Sequence, residues 1–241
     1  QTTQKNGKRC STAKAYLVPA LERDNLTVLT DTNVNKINIV DGKATGVLCI
    51  NAEGNEFIIE ASKEVLLSSG AFGSPQILLR SGIGPADEIL KHGIEHKLEL
   101  PGVGKNLQDH IDYVTVHKYK SIKLFGFSIG TLFFKYPYEL FKYILTKTGM
   151  FTSTVAEAGG FIRSRNDIEI PDTQLHFSPG MIVDHGREHI WGTGISCHTC
   201  LLRPKSRGEV TLNSADPLDN PKIDPKFLSH PDDVKDMIAG Y

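Results

Sequence analysis

The segment that most restricts the fold is residues 63–82. The apolar run Lys63-Glu64-Val65-Leu66-Leu67-Ser68-Ser69 passes through Gly70-Ala71-Phe72-Gly73 into Ser74-Pro75-Gln76-Ile77-Leu78-Leu79-Arg80-Ser81 and stops at Gly82. A buried strand, a glycine turn and a helix with Ser at its N-cap and Pro at its first position are expected in that order. Such a junction belongs to an α/β layer, where a helix N-terminus and backbone N–H groups meet an anion or nucleotide at the carboxyl edge of a sheet. A tight strand-to-helix turn also needs glycine on steric grounds alone. The junction is not Gly-x-Gly-x-x-Gly, so both readings stay open.

The flanking segments extend this picture. A helix over residues 11–21, limited or kinked by Pro19, precedes a buried strand at Leu26-Thr27-Val28-Leu29-Thr30. Three alternating runs, Val34 to Val40, Lys43 to Asn51 and Glu56 to Ala61, are separated by Asp41-Gly42 and by Glu53-Gly54-Asn55, and predict an antiparallel meander. A short helix is expected from Pro85 to Gly93, followed by the turn-rich Leu100-Pro101-Gly102-Val103-Gly104. Residues 124–145 are aromatic-rich, with a helix opened by Pro137 in which Tyr138, Phe141 and Leu145 share a face and Lys135, Lys142 and Lys147 lie nearby. Packing on a domain core is one reading of that helix. Contact with a membrane surface is the other, because an interface favours basic, aromatic, amphipathic helices. Phe161-Ile162-Arg163, residues 173–177, 193–202 and 209–212 are expected to form strands of a larger sheet.

Composition narrows the function. The 241 residues carry 27 basic and 28 acidic side chains, a net charge of -1, with 39% hydrophobic and 23% charged residues. That balance describes a globular chain of one to two domains and leaves no bulk positive charge for nucleic-acid binding. No apolar stretch approaches the about 18 residues of a spanning helix, and Gln1 to Arg9 has no apolar core like a signal peptide's. A cytoplasmic location is expected, with peripheral contact at the inner face of a membrane through residues 127–147 as the alternative. The chain starts without Met and stops at what reads as the beginning of a helix, so it is expected to be a piece of a longer protein.

Four cysteines, Cys10, Cys49, Cys197 and Cys200, are too few for a disulfide framework at this length and fit a reducing compartment. Cys197-His198-Thr199-Cys200 has zinc-knuckle spacing. A structural zinc site needs four ligands, no second pair exists, and in a strand residues three apart point to opposite faces, so no metal site is expected.

Residues 70–84, Gly-Ala-Phe-Gly-Ser-Pro-Gln-Ile-Leu-Leu-Arg-Ser-Gly-Ile-Gly, resemble the second signature of the glucose–methanol–choline (GMC) flavoprotein oxidoreductases. Leu100-Pro101-Gly102-Val103-Gly104-Lys105-Asn106-Leu107-Gln108-Asp109-His110 is similar to the segment that follows it in that family. Residues 202–212 and Ile223-Asp224-Pro225-Lys226-Phe227-Leu228 resemble its later blocks. The likeness covers nearly the whole chain in the family's order.

The resemblance implies an α/β and α+β fold. Residues 1–102 would be part of an FAD-binding Rossmann-like domain, and residues 103–241 most of a substrate domain with an antiparallel sheet backed by helices. It implies an FAD-dependent oxidoreductase that oxidises the CH–OH group of a primary alcohol and passes electrons to a quinone or other non-NAD acceptor. Choline dehydrogenase is the alternative, and a non-catalytic binding module a third reading. Val34, Gly70 and Ala71 match family positions beside the adenosine part of FAD. His176 matches a histidine that hydrogen-bonds the substrate alcohol, and Asp112, in His110-Ile111-Asp112, stands where choline-oxidising members carry a glutamate facing the cationic headgroup. Val155-Ala156-Glu157-Ala158 stands where those members have aromatic residues, which favours a plainer alcohol. The family's Gly-x-Gly-x-x-Gly and its late catalytic histidine with a His or Asn partner are absent from these 241 residues. The fragment alone is therefore expected to be inactive.

Overall fold

The computed structural model describes residues 3–188 and 190–241. Along the chain, a ribbon of β1 (Gln4–Lys5) and β2 (Lys8–Arg9) precedes the meander β3 (Thr32–Val40), β4 (Lys43–Asn51) and β5 (Glu56–Glu60). Next come α1 (Gly70–Arg80), β6 (Ile83–Gly84), α2 (Ala86–Leu90), β7 (Leu98–Glu99), β8 (Lys105–Leu107), β9 (Ile111–Lys118) and β10 (Gly126–Phe127). Helix α3 (Tyr136–Thr146) is followed by β11 (Ala158–Ile162), β12 (Thr173–Ser178), β13 (Gly192–Leu201), β14 (Gly208–Thr211), β15 (Lys222–Asp224) and α4 (Pro231–Gly240). This is the expected mixture of antiparallel sheets and helices.

The chain folds as two compact units interleaved in sequence. One comprises residues 1–27, 110–203 and 232–241, the other residues 28–109 and 204–231. The sequence reading divides the chain once, at residue 102.

In the unit built around residues 28–109, the meander forms in the order β3-β4-β5. Its first turn works because Asp41 and Gly42 both adopt positive φ, 49° and 74°, the geometry of a two-residue hairpin whose twist matches its strands. Helix α1 packs on β3, and Leu79, Ile89, Val103 and Leu212 form the core beside it. The helix begins at Gly70, earlier than the expected start at Pro75, which lies inside it. Ser74 does not cap it in the expected way; its Oγ accepts from the N–H of Ser69 at 3.1 Å. Pro75 is the sixth residue of the helix, past the unpartnered donors of its first turn, so its missing N–H leaves the Ala71 carbonyl without that intrahelical bond. The expected stop at Gly82 is present, with φ 84°.

Three expectations fail for identifiable reasons. Residues 26–30 and 63–69 join no ladder; a parallel strand needs neighbours on its hydrogen-bonding edges, and no described segment pairs with them. Residues 11–21 form a wide turn at Ala13–Leu17 and a 3₁₀ turn at Val18–Ala20 instead of an α-helix, because Pro19 can neither donate nor accommodate the preceding carbonyl. Strand β14 leaves the large sheet and pairs with β15 and β8.

The other unit carries the large antiparallel sheet. β13 is its centre, flanked by β12 and then β11 on one side and by β9 and β10 on the other. The C-terminal end of helix α4 touches one face. The Cβ of a side chain at Gly240 would meet Thr173, and the Tyr241 ring meets Tyr113 edge-on, centroids 4.8 Å apart.

Candidate functional site

Strand alternation decides which side chains of the large sheet meet. Asp112 pairs with Cys200, Cys200 with Gln174, and His198 with His176. Side chains two apart share a face, so Asp112, Cys200, His198, Gln174 and His176 lie together on one face. Tyr113, Thr173 and Thr199 occupy the opposite face, where Tyr113 and Thr173 meet the C-terminal end of α4. The two substrate-side residues named from the sequence, Asp112 and His176, are thus on the same surface, with His198 between them.

His198 is tied to Asp112. Its Nδ1 lies 2.6 Å from Asp112 Oδ2, the short range of a charge-assisted hydrogen bond. The Cys200 Sγ–H donates to the other carboxylate oxygen, Oδ1, at 3.4 Å. Burial, reinforced by the adjacent Asp112 charge and that hydrogen bond, pushes the Cys200 thiol pKa up to about 12. A thiol held protonated is a poor metal ligand. Cys197 points to the other face, and among the described residues no cluster of His, Cys, Asp and Glu is arranged to hold a metal ion. The zinc-knuckle spacing is therefore a strand with one inward thiol. The sequence does not single out His198, which stands inside that motif; its two-residue spacing from Cys200 in a strand is the signal that places the two on one face.

The other unit holds Val34, Gly70 and Ala71. Gly70 opens α1 with φ 79°, and open space lies where its Cβ would be. Ala71, Ser74, Pro75 and Leu78 line a cavity of about 440 Å³ together with residues 102–108 and Val210. Within the eleven-residue helix α1, these four positions follow the i, i+3, i+4, i+7 spacing, so one side of the helix lines the cavity and Ala71 brings its first turn to it. The Gly102-Val103-Gly104 turn forms its rim. A side chain at Gly104, φ 76°, would run into the carbonyl of Val210.

Val34 lies at an irregularity in β3, where the register with β4 shifts between Val34 and Lys36. Arg80 exploits it. Its Nε donates to the Asn35 carbonyl at 2.8 Å, Nη2 to the Val34 carbonyl at 3.4 Å and Nη1 to Gln76 Oε1 at 3.2 Å. Arg80 is only 6% exposed, and burial lowers its pKa against the opposing pull of Asp216. The recorded hydrogen bonds tie Val34 to the last turn of α1, whereas Gly70 and Ala71 begin that helix. Arg80 and Ser81, whose Oγ accepts the Ile37 N–H at 2.8 Å, are the contacts the sequence did not reveal.

Among the described residues no core covers the face of helix α3 that Tyr138, Phe141 and Leu145 share. Tyr138, Phe141 and Leu145 are 63%, 63% and 65% exposed, and no α3 residue is buried. The helix is held from its other side: Tyr136 and Tyr143 each approach Phe151 at 6.4 Å, and Glu139 accepts the Met150 N–H at 2.9 Å. Phe133 and Phe134, in the turn before α3, are 71% and 70% exposed. Lys135 sits over the Phe125 ring and donates to the carbonyls of Lys123 and Leu124, burial lowering its pKa. No helix among the described residues is long and apolar enough to cross a membrane.

The antiparallel sheets and the helices beside them make a mixed α/β fold. The amino-terminal profile of the GMC oxidoreductases matches residues 1–112 and the carboxy-terminal profile matches residues 204–241; the chain belongs to the GMC oxidoreductase family. It is 43% identical over 244 residues to an alcohol dehydrogenase [acceptor] of Pseudomonas putida, covering 100% of this chain and 44% of the relative. It is 37% identical to an oxygen-dependent choline dehydrogenase of Staphylococcus aureus, over 96% of this chain and 40% of that protein. A formate oxidase of Aspergillus oryzae, studied for its FAD modification, superposes with a TM-score of 0.86 at 27% identity, over 99% of this chain and 45% of that one. The chain thus spans less than half the length of these relatives.

Proposed function

We propose that the protein bearing this chain is an FAD-dependent oxidoreductase that oxidises the CH–OH group of a primary alcohol and passes the electrons to a quinone or other non-nicotinamide acceptor. The observation that carries this reading is the open sheet face on which Asp112, His198 and His176 gather. A small alcohol needs one donor and one acceptor for its hydroxyl, and this face offers both. The similarity to the alcohol dehydrogenase of Pseudomonas putida supports it.

FAD supplies the hydride acceptor when bound. Gly70 and Ala71, at the N-terminus of α1, would hold one end of it against free backbone N–H groups, and the adjoining cavity of about 440 Å³ suits part of an extended dinucleotide. Val34 would meet it through its backbone. On this reading residues 1–102 serve mainly the cofactor and residues 103–241 mainly the substrate, with 204–231 returning to the unit that carries α1. The substrate face then belongs to residues 110–203.

Choline is the second reading, supported by the carboxylates Asp112 and Glu157 and by the Staphylococcus aureus relative. The absence of aromatic residues at positions 155–158 argues for the plainer alcohol. The full-length protein, supplied with FAD, is to be assayed against primary alcohols and choline with a dye acceptor and with oxygen in parallel. Reduction of the dye by an alcohol such as 1-butanol is the expected result. Turnover of choline alone would move the assignment to choline oxidation, and a protein that neither binds FAD nor reduces any acceptor would be a binding module.

We also propose that the protein sits at the cytoplasmic face of a membrane through residues 127–147. Support comes from the outward Phe133, Phe134, Tyr138, Phe141 and Leu145 with Lys142 and Lys147 beside them. A bilayer surface takes up aromatic and aliphatic side chains while anionic headgroups attract the ammonium groups.

A further inference from the structure

Resting on the alcohol-oxidoreductase reading, we propose that His198, fixed by Asp112, is a substrate-hydroxyl ligand acting opposite His176. Asp112 is then a positioning residue. Each carboxylate oxygen of Asp112 already has a donor from β13: Oδ2 has His198 Nδ1 at 2.6 Å, and Oδ1 has Cys200 Sγ at 3.4 Å. A carboxylate accepts, so the proton of the shorter contact sits on Nδ1. In a neutral imidazole that leaves Nε2, at the far end of the ring, as an acceptor.

Across the sheet, His176 is the direct partner of His198 in the β12–β13 register. Opposed residues on one face have Cβ atoms about 5 Å apart, so the two histidines are neighbours on that face. A hydroxyl donates one hydrogen bond and accepts others. His198 Nε2 takes the hydroxyl hydrogen, and an N–H of His176 donates to the hydroxyl oxygen. The site remains reachable, with the His198 and Asp112 side chains 17% and 30% exposed and α4 on the opposite face. The ligand class is a small primary or secondary alcohol. A quaternary ammonium group without its hydroxyl would find no partner in the two rings.

A cross-strand Asp–His pair can also be purely structural, and two measurements separate the cases. The first is ¹⁵N NMR of the histidine-labelled full-length protein. His198 is expected as the Nδ1–H tautomer, with an Nε2 shift that moves on adding 1-butanol. Asp112→Asn is expected to abolish the fixed tautomer and Asp112→Glu to keep it. An Nε2–H tautomer, a tautomer unchanged in Asp112→Asn, or no response to 1-butanol overturns the proposal.

The second is steady-state oxidation of 1-butanol by the FAD-loaded enzyme. His198→Asn keeps a donor toward Asp112 and removes the acceptor at the Nε2 position. It should lower kcat/KM about tenfold or more, the scale of one lost hydrogen bond, with His198→Gln recovering part of the loss. Equal kcat/KM in His198→Asn and wild type overturns it. A protein inactive toward every alcohol, yet with the Nδ1–H tautomer and the 1-butanol shift, sinks the oxidoreductase reading and leaves this site standing.

Discussion

At the residue scale, charge placement governs both units. Arg80 is a buried cation whose three hydrogen bonds satisfy the carbonyls at the β3 irregularity and the side chain of Gln76. Arg80→Met keeps much of the volume and orphans those acceptors, each at a cost of about 1–3 kcal/mol when desolvated. We expect a loss of about 2–4 kcal/mol in urea unfolding, larger than for an exposed arginine such as Arg163. Glu209 provides the pH dependence. Its hydrogen bonds to Lys105, at 2.6 Å, and to Lys226, at 3.1 Å, hold its carboxyl below the ordinary glutamate range. A depressed folded pKa contributes stability above the unfolded value and loses it as pH falls through the folded one. Acid titration of stability should therefore show a downward limb below the ordinary glutamate pKa, and that limb should shrink in Glu209→Gln. An identical limb in the variant would remove Glu209 as its source.

At the level of elements, α1 and α3 make opposite demands. Helix α1 brings Ala71, in its first turn, to a cavity, so a carboxylate there should repel a cofactor's phosphates while leaving the helix intact, since acidic residues suit a helix start. Ala71→Glu is expected to lower flavin occupancy, read as flavin absorbance per protein, with Ala71→Gln close to wild type; equal occupancy in Glu and Gln variants would place the phosphates elsewhere. Helix α3 turns its apolar face outward. Phe141→Ser should thus change stability by less than about 0.5 kcal/mol yet reduce co-sedimentation with vesicles containing anionic lipid. Loss of stability without loss of vesicle binding would show that Phe141 packs inside the complete protein. Amphipathic periodicity identified this helix correctly but could not say which side faced the protein: Tyr136, Tyr143 and Glu139 anchor it to residues 149–151, and Tyr138, Phe141 and Leu145 are left outside.

For the whole molecule, local signals and long-range pairing divide the account. The meander was legible because Asp41-Gly42 and the alternation around it act over a few residues, as do the stop at Gly82 and the opposite faces of Cys197 and Cys200. Motif similarity named Val34, Gly70, Ala71, Asp112 and His176 from short stretches of sequence, and the family from the same stretches. The strands expected at 26–30 and 63–69 did not form, because a parallel strand depends on partners that composition cannot supply. The interleaving of the two units, the return of β14 to β8, and the tie between Arg80 and the β3 irregularity join residues from 45 to 104 positions apart. The partnership of Asp112 with His198 spans 86 positions. The sequence by itself determined the chemistry available, namely histidines, carboxylates and a glycine-opened helix, because side-chain identity and local backbone preference are properties of neighbouring residues. Only the tertiary structure decided which of them share a face, because strand register is a property of segments distant in the chain.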